Sequence, residues 1–418
     1  MTPARSAELN VLAYFVALTC LLYVIDPIGP FFDIALTYVL KDHLHASLSD
    51  VALFRLTTAL PVYAAVIFGL VRDRWSPLGR QDRGYFLLFP LLLALLMVWL
   101  AVRPLTLVGV SVGVVIAMLL TRFVIAAHHG LMARLAREQA MSGRLAAVWQ
   151  FTTFAVALGT SAASGLLAQY GGSRAMFWVV AAAALCMALF SLWRPRAVYG
   201  QVAAPNDARP GSLRGDLRRL ATHRALYPAV TVMLLFQFSP GQGVVLQYYL
   251  VDRLHGSDAM YGYWYATYLA GFLPMFLLYG YLCQRVPFGR LLFWSAVVAV
   301  PQVMPLAFIH SAWGAVLLAL PIGMLGGLMW AAINDLAMRA CPPGLQGALM
   351  MCVAGVNTLG VRGGDWLGTR IYAAGGDRGF LWCALATTTV YAAILLVIRW
   401  IPHAVTATTD GQPWRAVR

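Results

Sequence analysis

The stretch LKDHLHAS, Leu40 to Ser47, returns as LVDRLHGS, Leu250 to Ser257, about 210 residues further along the chain. Its flanks repeat at the same offset. Pro30 answers to Pro240 upstream, and Pro77, Gly79 and Arg80 answer to Pro287, Gly289 and Arg290 downstream. A first half written again in the second predicts two similarly folded halves. Because the repeated text lies between long apolar runs, the expectation is a pseudo-twofold bundle of membrane helices.

Composition fixes the solvent. Of 418 residues, 61% are hydrophobic and 11% charged, too much apolar surface for a water-soluble globule to cover. About 20 apolar residues span the hydrocarbon core. Twelve such stretches lie near 9–39, 49–71, 85–102, 105–130, 145–169, 174–193, 226–250, 258–283, 289–309, 312–337, 345–373 and 378–400. The expected organisation is an N-terminal six-helix half over 1–193, a linker over 194–224, a C-terminal six-helix half over 225–400 and a tail over 401–418. No small-residue cleavage site follows the first apolar run, so it reads as a retained anchor.

Orientation follows from the basic residues. With both ends inside, 21 of the 30 Lys and Arg fall on cytoplasmic segments, while only Lys41, Arg103, Arg174, Arg253 and Arg378 fall outside. That bias predicts a multi-pass protein of the cell inner (cytoplasmic) membrane with cytoplasmic termini. The formal charge of +14 is then a topology signal with some attraction to anionic lipid, not a nucleic-acid footprint. Six cysteines without CxxC pairing point to neither disulfides nor a thiolate metal site, and no cofactor is called for. Within the linker, LRGDLRRLAT over 213–222 fits either a short amphipathic helix on the membrane face or a disordered connector.

The first apolar stretch is too long for one span. Its 31 residues as helix would run about 45 Å against a core of about 30 Å. A break is written in its middle as Asp26, Pro27, Ile28, Gly29 and Pro30, and the seventh stretch repeats the device as Ser239, Pro240, Gly241, Gln242 and Gly243. Each proline removes a backbone donor and opens the helical ladder at membrane depth. Paired breaks in corresponding elements point to a central site, or else simply bend the two helices.

The residues from Ala35 to Leu88 resemble the first spans and following loop of the folate-biopterin transporter family, within the major facilitator superfamily. So does FQFSPGQGVVLQYYLVDRLHGS, with Pro240 and the paired Tyr248 and Tyr249, and most specifically CPPGLQGALMMCVAGVNTLG from Cys341 to Gly360. The resemblance implies an all-α, major-facilitator-type bundle of twelve transmembrane helices that rocks between inward- and outward-facing states. The pattern departs at Ala65, where a lysine is expected, and at His129 and Arg134, where acidic residues are expected. Gly69, Asp73, Arg74, Gly79, Arg80 and Arg83 resemble the superfamily's cytoplasmic gate motif, in which a glycine admits a close helix approach and the aspartate pairs or caps across it. Gly69, Asp73, Arg74 and Arg80 are the gate candidates.

Charges at membrane depth carry the remaining chemistry, because each costs roughly 3 kcal/mol to insert and so faces a cavity or a partner. Asp26, with Asp33 as the lesser candidate, is expected to take a proton, and Arg122 and Arg362 to attract an organic anion. Arg362 and Asp365, at i and i+3, could instead neutralise one another. Tyr23, Gln150, Gln237, Gln247 and Tyr248, with Trp149 and Trp330, could line the cavity. No enzyme is read: there is no phosphate-binding GxxxxGK[ST] loop and no HExxH, and glutamate occurs only as Glu8 and Glu138. The expected function is secondary transport of a small organic solute, an organic anion or pterin/folate-like compound, with protons and a lipid bilayer as the other partners. The alternative is a transporter-shaped scaffold or assembly factor without transport.

Overall fold

A computed structural model describes residues 3–45, 54, 57–170, 174–200, 212–256 and 260–412. Much of the start of the second apolar stretch, residues 201–211 of the linker, the last residues of both repeated motifs and the final six residues lie outside the described residues. Among the described residues the chain is helical throughout, with no strand. Every one of the twelve apolar stretches contains helix.

The first stretch forms α1 (Pro3–Ile25) and α2 (Pro30–Tyr38), parted at the Asp26–Gly29 turn. The second ends in α3 (Ala65–Arg74), after a single helical turn at Leu60–Tyr63. Then follow α4 (Asp82–Val102), α5 (Leu107–Glu138), α6 (Ser142–Tyr170) and α7 (Ala175–Phe190). The linker carries α8 (Leu213–Thr222), so these ten residues are helix; Asp216 and Leu220 are buried while Arg214, Arg218 and Arg219 are exposed. The seventh stretch is again parted, into α9 (Leu226–Gln237) and α10 (Val244–Tyr248). The last five are α11 (Met260–Leu282), α12 (Phe288–Ala299), α13 (Ala312–Arg339), α14 (Gln346–Ala374) and α15 (Gly379–Ile398).

The repeat in the text is a repeat in the backbone. Val39–His43 and Tyr249–Arg253 each widen into a π-helical turn, and His45 and His255 each end it in the left-handed region at φ 47° and 51°. The π turn, which leaves a helix out of register with itself, is rare enough that two at one sequence offset mark a shared local design.

The residues form two compact units. The first comprises Met1–Arg134, Ala155–Leu213 and Pro343–Met351; the second comprises Leu135–Phe154, Arg214–Pro342 and Cys352–Arg418. In the first, Tyr14 of α1 packs at a tilt on Phe190 at 5.0 Å and bonds its hydroxyl to that of Tyr199 at 2.8 Å, while Phe89 and Phe123 stack at 4.5 Å. In the second, α11 and α13 approach through Gly271 and Gly323, where a Cβ on either would overlap the other helix's backbone. Without a hydrophobic driving force in lipid, such small-residue seams are how helices gain contact. Large apolar side chains such as Leu95, Val108, Leu317 and Leu396 stand exposed, as on a surface covered by lipid rather than water. Seven helical stretches among the described residues have the length and hydropathy to cross a membrane, and α7 and α9 are shorter apolar helices.

Candidate functional site

The break between α1 and α2 is built by its own residues. Gly29 N–H donates to the Asp26 carbonyl at 2.8 Å, and the Asp26 carboxylate accepts from Ile28 N–H at 3.3 Å. Such a side-chain turn holds a carboxylate where the helical ladder is interrupted. Onto the same Oδ1 comes Arg122 Nη2 from α5, at 2.5 Å. The side chains are only 8% (Arg122) and 17% (Asp26) exposed, and Arg122 Nε, also buried, meets no acceptor among the described residues. The guanidinium therefore has donor capacity beyond the one aspartate. Two turns further along α5, His128 shares a hydrogen bond with Thr19 of α1 at 3.1 Å and lies edge-on to His129 at 5.5 Å. Asp33 sits in the first turn of α2, where a carboxylate complements the helix dipole, and Tyr23 is half-buried near the end of α1.

The second break uses other means. Gly243 turns at φ 59°, leaving Val244 N–H to start α10, and Asp365 of α14 accepts from that amide at 3.3 Å. Asp365 thus serves the break and forms no ion pair with Arg362, which stands exposed. Gly241 N–H donates to Thr387 at 2.9 Å. Gln237 bonds Asn357, Gln150 accepts from the Trp330 indole at 2.8 Å, and Gln247 and Tyr248 are exposed. Of the predicted lining, Gln150 and Gln237 are thus engaged within the second unit, and Asp26 and Arg122 meet within the first.

The loop after α3 makes a third arrangement, wholly in the first unit. Asp73 accepts from the Gly347 and Ala348 amides at 3.0 and 2.8 Å, capping the first turn of α14. Those amides have no partner one turn back inside their own helix, so a carboxylate there satisfies them and complements the dipole. Gly69, one turn before Asp73, abuts the Gly347 carbonyl with no room for a Cβ. Arg72 binds Asp73 at 2.8 Å and Asp82 at 2.6 Å, and Arg134 approaches Asp82 at 3.8 Å. Arg74 is half-buried and Arg80 exposed. Burial pushes the Asp73 carboxyl up, against Arg72 and the two amides that pull it down. Its charge is thus less at ease here than in water.

Among the described residues no three of His, Cys, Asp and Glu gather as a metal site. Arg72 and Asp82 carry no role in the sequence reading, and Arg134 enters it only as a departure from the family pattern. Asp82, ten positions beyond Arg72 at the start of α4, was the available signal, since an acid opening a helix beside a basic loop invites pairing.

The model of the Major Facilitator Superfamily matches residues 9–362. The chain belongs to this superfamily. A comparison with curated proteins finds no significant match. Among solved structures, the Escherichia coli fucose:proton symporter FucP (N162A) is similar at 15% identity and TM-score 0.71, covering 94% of this chain and 98% of that one. A bacterial homologue of the iron transporter ferroportin, in an outward-facing state, is similar at 14% identity and TM-score 0.70, covering 94% and 99%. The human organic anion transporter MFSD10 (TETRAN) is similar at 14% identity and TM-score 0.61, covering 95% and 100%. At such identity the likeness is one of fold. This superfamily member is a multi-pass, all-α membrane protein with the major-facilitator fold, built as a transporter rather than an enzyme.

Proposed function

We propose that the chain is a proton-coupled secondary transporter that moves a small organic solute, an organic anion or a pterin- or folate-like compound, by alternating access. It lies in the cytoplasmic membrane with both termini inside and the two sequence halves acting as the rocking parts. The observation that carries this reading is the Asp26–Arg122 ion pair set into the break of the first span. A buried arginine needs a counter-charge. While Asp26 is ionised it supplies one; once Asp26 takes a proton, Arg122 turns to an anion from the substrate. Proton and anion then favour each other's binding, and linkage makes the help mutual. The free Nε–H gives Arg122 the geometry to fork onto a carboxylate. The similarity to a fucose:proton symporter and to an organic anion transporter supports the class without naming the solute.

The test is a thermal-shift screen of the purified protein against folates, pterins, other aromatic carboxylates and amphipathic amines, at mildly acidic and at neutral pH. A ligand of the native state raises the melting temperature by mass action. An anionic hit whose shift grows on acidification is the expected result. A hit confined to amines would remove the anion, and no hit in any class would favour the scaffold reading.

A further inference from the structure

α6 and α14 each carry a glycine as their second residue, in Ser142-Gly143-Arg144 and Gln346-Gly347-Ala348. In the first unit, Asp73 caps α14 on its Gly347 and Ala348 amides. The sequence repeat that relates the halves carries Asp73 onto Cys283, whose thiol cannot supply that charge. Within the second unit the carboxylate arrives from elsewhere. Asp410, in the segment after α15, accepts from Gly143 N–H at 2.9 Å on one oxygen and from Arg144 Nε at 2.6 Å on the other. Its own amide donates to the carbonyl of Cys283 at 2.9 Å, so the incoming aspartate sits on the residue that stands where an aspartate is missing. Gly143 packs against Cys283 with no room for a Cβ, as Gly347 does against the Asp73 carboxylate and Arg72.

The segment is held along its length. Phe288 N–H donates to the Thr408 carbonyl at 3.1 Å, and Arg339 Nη1 donates to the same carbonyl at 3.2 Å and to the Thr408 hydroxyl at 3.1 Å. Gly411 N–H donates to Ala140 at 2.6 Å. Arg339 is itself fixed by Asp335 at 2.8 Å, whose other oxygen accepts from Tyr279 at 2.8 Å. The Asp410 side chain is fully buried.

We propose that Val405–Gly411 is a built-in latch: the C-terminal segment lends Asp410 to the start of α6 as the gate carboxylate that the second half lacks, and must let go whenever that helix start moves. As a latch in a transport cycle this rests on the proposed function; its binding to α6 does not. The Gly143 amide, at a helix start, has no acceptor within its own helix, so its protection reports on the Asp410 bond.

The experiment is amide hydrogen exchange on the full-length, ligand-free protein in lipid nanodiscs, comparing wild type, Asp410→Ala and Asp410→Ala with Cys283→Asp. Asp410→Ala should speed exchange at the start of α6 by about tenfold, the loss of a charge-assisted bond, and leave the start of α14 unchanged. Cys283→Asp in that background, which puts a carboxylate at the Asp73-equivalent position, should restore most of the protection. Where the alanine variant fails to insert, Asp410→Asn should give a smaller rise in the same direction. Unchanged exchange at α6, or an equal rise at both helix starts, overturns the latch. Because no solute is present, a failed ligand screen and a failed latch are separate results.

Discussion

Arg122 reaches back 96 positions along the chain to meet the carboxylate of Asp26 at 2.5 Å, inside the break that divides the first span. Each residue alone is a charge inside an apolar stretch; together they neutralise one another at the turn where the helical ladder between α1 and α2 is interrupted. Removing one partner strands the other. Asp26→Asn should therefore destabilise the protein by about 3 kcal/mol, the cost of leaving a buried ion unpaired, and abolish gradient-driven accumulation of the solute. Asp26→Asn with Arg122→Gln should recover the stability without the transport. Denaturation midpoints and vesicle uptake across the four-member cycle measure both. Additive losses of stability would show that the pair is not coupled.

Arg122 separates a binding role from a structural one. Arg122→Ala should weaken the best anionic ligand by about 2 kcal/mol or more, since the anion would sit in a low-dielectric site without its cation. Arg122→Lys should recover only part, because an ammonium cannot fork onto a carboxylate as a guanidinium does. Calorimetric titration of wild type and both variants checks this. Equal affinities would take Arg122 out of the site.

What was legible in the text was what physics writes locally. Clustered proline and glycine at Asp26–Pro30 and Ser239–Gly243 open the helical ladder locally, and both spans part there. Charges that are costly to insert were visible singly as Asp26 and Arg122. Their pairing was not, because nothing local fixes how α5 is rotated against α1. Helical spacing likewise allows Arg362 either to face Asp365 or to stand apart from it, whereas Asp365 turns to the amide of Val244. Nothing in the text separates Arg72 from Arg74 and Arg80, since loop arginines look alike until Asp82 is seen beside one of them. Asp410 gave no signal at all: an aspartate among small polar residues in a tail reads as solvated.

Orientation has its own test. Reporters fused after Arg144 and within 200–210 should read cytoplasmic, and one inserted at 45–47 should read external. Paired alkaline phosphatase and fluorescent-protein fusions give opposite responses on the two sides. Reversed signals would move the Asp73 contact to the outer face and end its reading as a cytoplasmic gate.

The gate itself is tested at Gly69 and Asp73. Gly69 lies against the Gly347 backbone, so Gly69→Leu should wedge α3 away from α14 at a cost of about 1–3 kcal/mol, the range for overpacking. Asp73→Ala should leave the Gly347 and Ala348 amides uncapped and speed their exchange by about tenfold. The sign of the pH effect follows from burial. With the Asp73 carboxyl pushed up in this arrangement, the capped state binds its proton more tightly than a hydrated, opened one. Its stability relative to the opened state is fullest below the ordinary carboxylate value and falls as pH rises through the raised one. After correction for intrinsic rates, acidification from neutral pH should thus increase protection at the start of α14 in wild type and do nothing at that site in Asp73→Ala. Protection that falls on acidification in wild type would mean that the charge of Asp73, rather than its burial, governs the contact.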